Sequence, residues 1–126
     1  MKPVVVVVDD EPAIVQVVCD VLMDADVNTV ACMYSLEANA RIRELRPDVV
    51  LLDVQMPIVD GIEIFRAMRA DDATRSIPVI FFTANSDRLV QRLPDYHEQG
   101  AVLLPKPFNV IKLLTLVRSA LDQRAS

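Results

Sequence analysis

The sequence predicts an α/β protein: a doubly wound, five-stranded parallel sheet with helices on both faces. Three observations carry this expectation. Five short apolar runs alternate with segments whose apolar residues recur at helical spacing, and parallel strands require such crossovers. The runs are rich in β-branched residues and lack the polar alternation of a half-solvated sheet, as suits strands covered on both faces. The chain has 126 residues and 52% hydrophobic content, which fits one domain, residues 1–126, with its own core.

The elements follow in order. Val4–Val8, five consecutive valines, is a buried strand. Pro12 suits the first turn of a helix that carries Ile14, Val15, Val18, Val21 and Leu22. Val27–Ala31 is a more polar run, expected nearer an edge, and Ser35 can cap a helix carrying Leu36, Ala40, Ile42 and Leu45. Val49–Leu52 is the third strand, and Ile62, Phe65 and Met68 mark a helix started after Gly61. Val79–Phe82 follows, then a fourth helix over Ser86–Gln99, inside which Pro94 would kink or end it. Ala101–Leu104 is the fifth strand, and Asn109 can cap a last helix with Leu113, Leu116, Val117 and Leu121. The strand order expected is the flavodoxin-like 2-1-3-4-5.

Composition narrows the function classes. No apolar run is long enough to span a bilayer, and Met1-Lys2-Pro3 does not open a signal peptide, so a cytoplasmic protein without membrane contact is expected. A net charge of -5, with thirteen basic residues scattered rather than clustered, disfavours direct nucleic-acid binding. Cys19 and Cys32 lie in apolar stretches without metal-ligand spacing and read as small buried hydrophobes in a reducing compartment. There is no internal repeat, low-complexity segment or linker.

In doubly wound sheets the functional crevice lies beyond the carboxyl ends of the strands. The first strand ends in Asp9-Asp10-Glu11, the third in Asp53, the fourth in Thr83-Ala84 and the fifth in Pro105-Lys106-Pro107. One edge therefore gathers carboxylates, a hydroxyl and an ammonium. Facing carboxylates repel, and a hard divalent cation such as Mg²⁺ resolves this with oxygen ligands. Lys106 can hold a carboxylate at one time and a phosphoryl oxygen at another. Singly, these residues would be ordinary: a strand-end Asp is usually a turn former or cap, and a lone Lys a solvated charge. Their joint occurrence at four strand ends favours function. Glu11 and Asp60-Gly61 are taken as turn or cap chemistry only, and His97, the one histidine, as a surface residue. Arg41, Arg43 and Arg46, with Glu44, read as a solvated face.

Val-Asp9-Asp10-Glu11-Pro12, then Asp53-Val-Gln-Met56-Pro57-Ile-Val-Asp60-Gly61, then Thr83-Ala84 and Lys106-Pro107-Phe108, together resemble the receiver domains of two-component response regulators. The resemblance covers about Lys2 to Leu121. It implies that Asp53 takes a phosphoryl group from a histidine kinase or phosphotransfer protein and signals by conformational change. It further implies that Asp10, Asp53 and the Gln55 backbone carbonyl bind Mg²⁺ directly, with Asp9 acting largely through a metal-bound water. Thr83 would hydrogen-bond the phosphoryl group, Lys106 would pair with it, and Ala84 would leave room for the donor. Such a protein is a switch rather than an enzyme, limited to self-catalysed phosphoryl transfer and autodephosphorylation. Its partners are the phosphodonor and a downstream protein target or output domain, and a homodimer is a further option.

Three departures from the family pattern stand out. Leu103 occupies a switch position where the family often has an aromatic residue. The interval from Thr83 to Gly100 is longer, and that from Gly100 to Lys106 shorter, than the family's. Pro94 interrupts the fourth helix. These leave the phosphorylation chemistry intact and predict altered coupling at the fourth-helix, fifth-strand face. Three rival readings each ask for something different of the sequence. A Mg²⁺-dependent phosphohydrolase with an aspartyl nucleophile would need a substrate-binding cap. A flavodoxin-type carrier would need a glycine-rich phosphate loop in place of Asp9-Asp10-Glu11. A receiver-like module that binds without phosphorylation would not need the full set Asp9, Asp10, Asp53, Thr83 and Lys106. The polar end Asp122–Ser126 is compatible with a stand-alone receiver or a piece of a longer regulator.

Overall fold

Five valines cannot hide on one face of a strand, so β1 (Val4–Val8) needs cover on both, and Val5–Val8 are fully buried. A computed structural model describes residues 2–125 of the chain. The order is β1, α1 (Pro12–Met23), β2 (Asn28–Cys32), α2 (Ser35–Leu45), β3 (Val49–Asp53), α3 (Gly61–Ala70), β4 (Val79–Thr83), α4 (Ser86–Arg92), β5 (Ala101–Pro105) and α5 (Val110–Ala125). The five strands form one parallel sheet in the order β2-β1-β3-β4-β5, as expected.

Side chains alternate across the sheet with the period of two that strands impose. Val6, Val8, Val50, Leu52, Val79 and Phe81 face one core with Ala38, Ile42, Ile62, Phe65, Met68 and Leu89 from α2, α3 and α4. Val5, Val7, Val49, Leu51, Ile80 and Phe82 face the other, with Val18 and Leu22 of α1 and Leu113 and Val117 of α5. Phe65 meets Phe81 edge-on at 5.1 Å between ring centroids, a favoured aromatic geometry. The polar β2 lies at the sheet edge, as its composition suggested, although it runs to Cys32.

Three local expectations are corrected. The fourth helix ends at Arg92 rather than Gln99. Leu93, with φ -140° and ψ 66°, has already left the helical region, because the Pro94 ring disfavours it for the preceding residue. Ser35 does not cap α2: the N-cap is Tyr34, and the Ser35 hydroxyl donates to the Pro57 carbonyl at 2.7 Å. Cys19 is half-buried, whereas Cys32 is buried; both are free thiols. Pro12 at the start of α1 and Asn109 capping α5, where its Oδ1 accepts from Lys112 N–H at 3.1 Å, match expectation.

Parallel register aligns the strand ends. Val8 lies beside Cys32 and Leu52, Asp53 beside Phe82, and Thr83 beside Pro105. The loops that follow β1, β3, β4 and β5 therefore meet at one rim.

Candidate functional site at the strand ends

Asp53 is the last residue of β3, all five of whose residues are buried, so its carboxylate is presented by a rigid strand. Asp9 follows β1 directly and its backbone N–H donates to the Cys32 carbonyl. Both are nearly sealed from solvent, Asp9 at 0% and Asp53 at 3% exposure, whereas Asp10 is exposed. Carboxylate oxygens of Asp9, Asp10 and Asp53 lie within 4.8 Å of one another. Hard oxygen donors so close together are the kind of set that holds a small divalent cation.

Lys106 crosses from the end of β5 to meet them. Its Nζ donates to Asp9 Oδ2 at 2.9 Å and stands 3.4 Å from Asp53 Oδ2 and 3.6 Å from Glu11 Oε1. The ammonium also lies 4.8 Å from the centre of the Phe82 ring. Its backbone N–H donates to the Thr83 carbonyl at 2.8 Å, and the following peptide bond to Pro107 is cis. Asp9 Oδ1 accepts from Glu11 N–H at 2.9 Å, and Asp53 Oδ1 from Gln55 N–H at 3.3 Å.

The titration behaviour follows from this crowding. Burial, and then the negative charge of Asp9, push the Asp53 carboxyl up to about 7, against the opposing pull of Lys106 and the Gln55 amide. For Lys106, burial disfavours the charge, but the hydrogen bond to Asp9 and the charges of Asp53, Asp9 and Glu11 outweigh it and raise the pKa. One ammonium is thus shared among the carboxylates of the site.

Thr83, 1% exposed, ends β4 with its Oγ accepting from Asn85 N–H at 3.0 Å. Ala84 lies exposed just beyond it, and Gln55 is exposed after β3. Leu103 sits half-buried on β5, beside Phe81 in register, against the α2–α3–α4 core. A groove of about 160 Å³ lined by Asp10, Tyr34, Leu36 and Ile58 adjoins the rim on the β2 side.

Two residues do more than turn chemistry. Gly61 opens α3, and its N–H donates to the Val54 carbonyl at 2.9 Å. A Cβ there would lie 2.0 Å from the Asp53 carbonyl oxygen, so the close approach requires glycine. Asp60 caps α3, its Oδ1 accepting from Glu63 N–H at 2.9 Å, while Oδ2 faces Arg88 at 3.5 Å and Arg92 of α4. Burial pushes the Asp60 carboxyl up, but the Glu63 amide and the two arginines prevail and hold it below the ordinary range. The Asp-x-x-Glu spacing was a legible capping signal; nothing in the sequence announced the arginine pairing.

Residues 5–118 match the family model of the response regulator receiver domain. The chain is 34% identical over 122 residues to the DNA-binding response regulator MtrA of Mycolicibacterium smegmatis, covering 96% of this chain and 51% of that protein. It is 30% identical over 119 residues to the DNA-binding dual master transcriptional regulator RpaA of Synechocystis, covering 94% of this chain and 49% of that protein. Among solved structures, the chemotaxis response regulator CheY4 of Vibrio cholerae superimposes with a TM-score of 0.83 at 29% identity, over 95% of this chain and 99% of that one. The chain belongs to the receiver domain family of two-component response regulators, a family of signalling switches. It spans about half the length of these curated relatives. Among the described residues no helix is long and apolar enough to cross a membrane.

Proposed function

We propose that residues 1–126 act as one receiver domain in which Asp53 is the phosphoacceptor. The observation that carries this is the shared ammonium: Lys106 Nζ lies 2.9 Å from Asp9 and 3.4 Å from Asp53, at the end of a fully buried strand. An Asp53 oxygen attacks the donor's phosphorus, the bond from phosphorus to the donor breaks, and the leaving group departs with the electron pair. Lys106 turns from its carboxylates to a phosphoryl oxygen, and the Thr83 hydroxyl, which can rotate, donates to another.

The donor set fits Mg²⁺: Asp10, Asp53 and the Gln55 carbonyl would hold it, with Asp9 through a water. When bound, the ion neutralises charge on the phosphoryl oxygens. Ala84, small and exposed, leaves the approach to Asp53 open. The partners are a histidine kinase or phosphotransfer protein and a downstream protein or output domain. A net charge of -5 argues against contact between this part and nucleic acid. We propose no turnover of a separate substrate.

The test is direct. With acetyl phosphate and Mg²⁺, intact mass should rise by one phosphoryl group, and peptide mapping should place it on Asp53. Labelling that survives Asp53→Ala, or that proceeds unchanged in chelator, overturns the proposal.

A further inference from the structure

One carboxylate joins the start of α3 to α4. With Oδ1 occupied by the cap of α3, Asp60 turns Oδ2 toward Arg88 and Arg92, which lie one turn apart on α4. Arg66 of α3 returns the contact, its Nη2 donating to the Arg92 carbonyl at 2.9 Å. Asp60 is 8% exposed, so this pairing is sheltered on its acidic side, unlike the open surface pairs elsewhere in the chain. It also carries unusual weight, because α4 has seven residues and buries a single side chain, Leu89.

The same turn of α4 leads to the site. Asn85 Oδ1 accepts from Arg88 N–H at 3.1 Å, capping α4, while Asn85 N–H donates to the Thr83 hydroxyl. At the other end, Gly61 N–H holds the start of α3 to the residue after Asp53. A continuous path therefore runs from Thr83 through Asn85, Arg88 and Asp60 back to the β3–α3 loop. Arg88 Nε is buried with no partner among the described residues.

We propose that Asp60, acting through Arg88 and Arg92, is a positioning residue that holds α4 and the Asn85–Thr83 turn in the unphosphorylated arrangement. This rests on the reading of Asp53 as phosphoacceptor. The clasp opposes movement of Thr83 toward the phosphoryl group, so loosening it favours the phosphorylated form by linkage. It supplies a contact between the site and α4 that does not pass through Leu103.

The experiment uses the whole chain with Asp60→Asn, which keeps an N-cap but removes the charge, Arg92→Gln, and the double variant. Without phosphodonor, hydrogen exchange of the α4 amides should accelerate about tenfold in each single variant. The double variant should exchange no faster than the faster single one, since one contact is lost only once. With acetyl phosphate and Mg²⁺, both single variants should label several-fold faster than the parent chain. Unchanged α4 exchange, additive effects, or unchanged labelling despite a looser α4 would each overturn the clasp. A parent chain that takes no label overturns the Asp53 reading instead, and the exchange data then decide the clasp alone.

Discussion

β3 and the α4–β5 flank share a sheet but are held in opposite ways. β3 is a central strand with every residue buried, and its carbonyl at Asp53 is pinned by the close approach of Gly61. α4 is a seven-residue helix anchored by Leu89, and only Ala101 and Leu104 of β5 are buried. The proposed acceptor carboxylate of Asp53 thus sits on a fully buried central strand, and the segment beside it is far less buried. In-line phosphoryl transfer needs fixed positions, whereas a signal needs something that moves. On the proposed reading, the buried strand suits the first task and the sparsely buried flank the second.

The largest effect should come from stiffening's own weak point. Gly61→Ala places a Cβ against the Asp53 backbone, which a central strand cannot yield; it should cost more than about 3 kcal/mol in urea unfolding and abolish labelling. On the soft side, Leu89→Ala should cost about 2 kcal/mol, at the low end for such truncations because a short helix can fray. Labelling of Asp53 should persist in that variant. If labelling failed there while Gly61→Ala still labelled, the division would be wrong.

A smaller effect separates charge from packing. Asp53 with its carboxyl at about 7 is raised above its unfolded value, so its ionisation burdens the folded state above pH 7 and the burden lifts as pH falls toward 4. Asp53→Asn should therefore raise Tm by about 4 °C in metal-free protein at pH 8, with the gain vanishing near pH 4. By the same titration, Mg²⁺ affinity measured by calorimetry should be steady above pH 7 and fall below it, as protons compete for Asp53.

Much of this was legible in the chain itself. β-branched runs such as Val4–Val8 announce buried strands because little else tolerates five valines, and strand ends point to Asp9, Asp53, Thr83 and Lys106. What escaped depends on distant partners. Asp60 read as turn chemistry because its own neighbourhood supports that role, and its arginines lie on another helix. Ser35 looked like a cap because capping is the local use of serine, but the Pro57 carbonyl outcompeted it. Pro94 was visible as a disruption; that the helix stops at Arg92 instead of bending reflects how little buried surface lies beyond Leu93 to sustain it.

The chain has two glycines, yet among the described residues four have left-handed backbone: Asp26, Arg46, Ile58 and Gly100. Ile58, at φ 72°, is β-branched and 79% exposed, an uncomfortable residue in an uncomfortable place. Evolutionary drift there toward glycine or asparagine would be downhill for the backbone and would remove an apolar side chain from the edge of the Asp10 groove. At Ile58 the loop after β3 therefore sets the comfort of the backbone against whatever the exposed apolar side chain contributes beside Asp10.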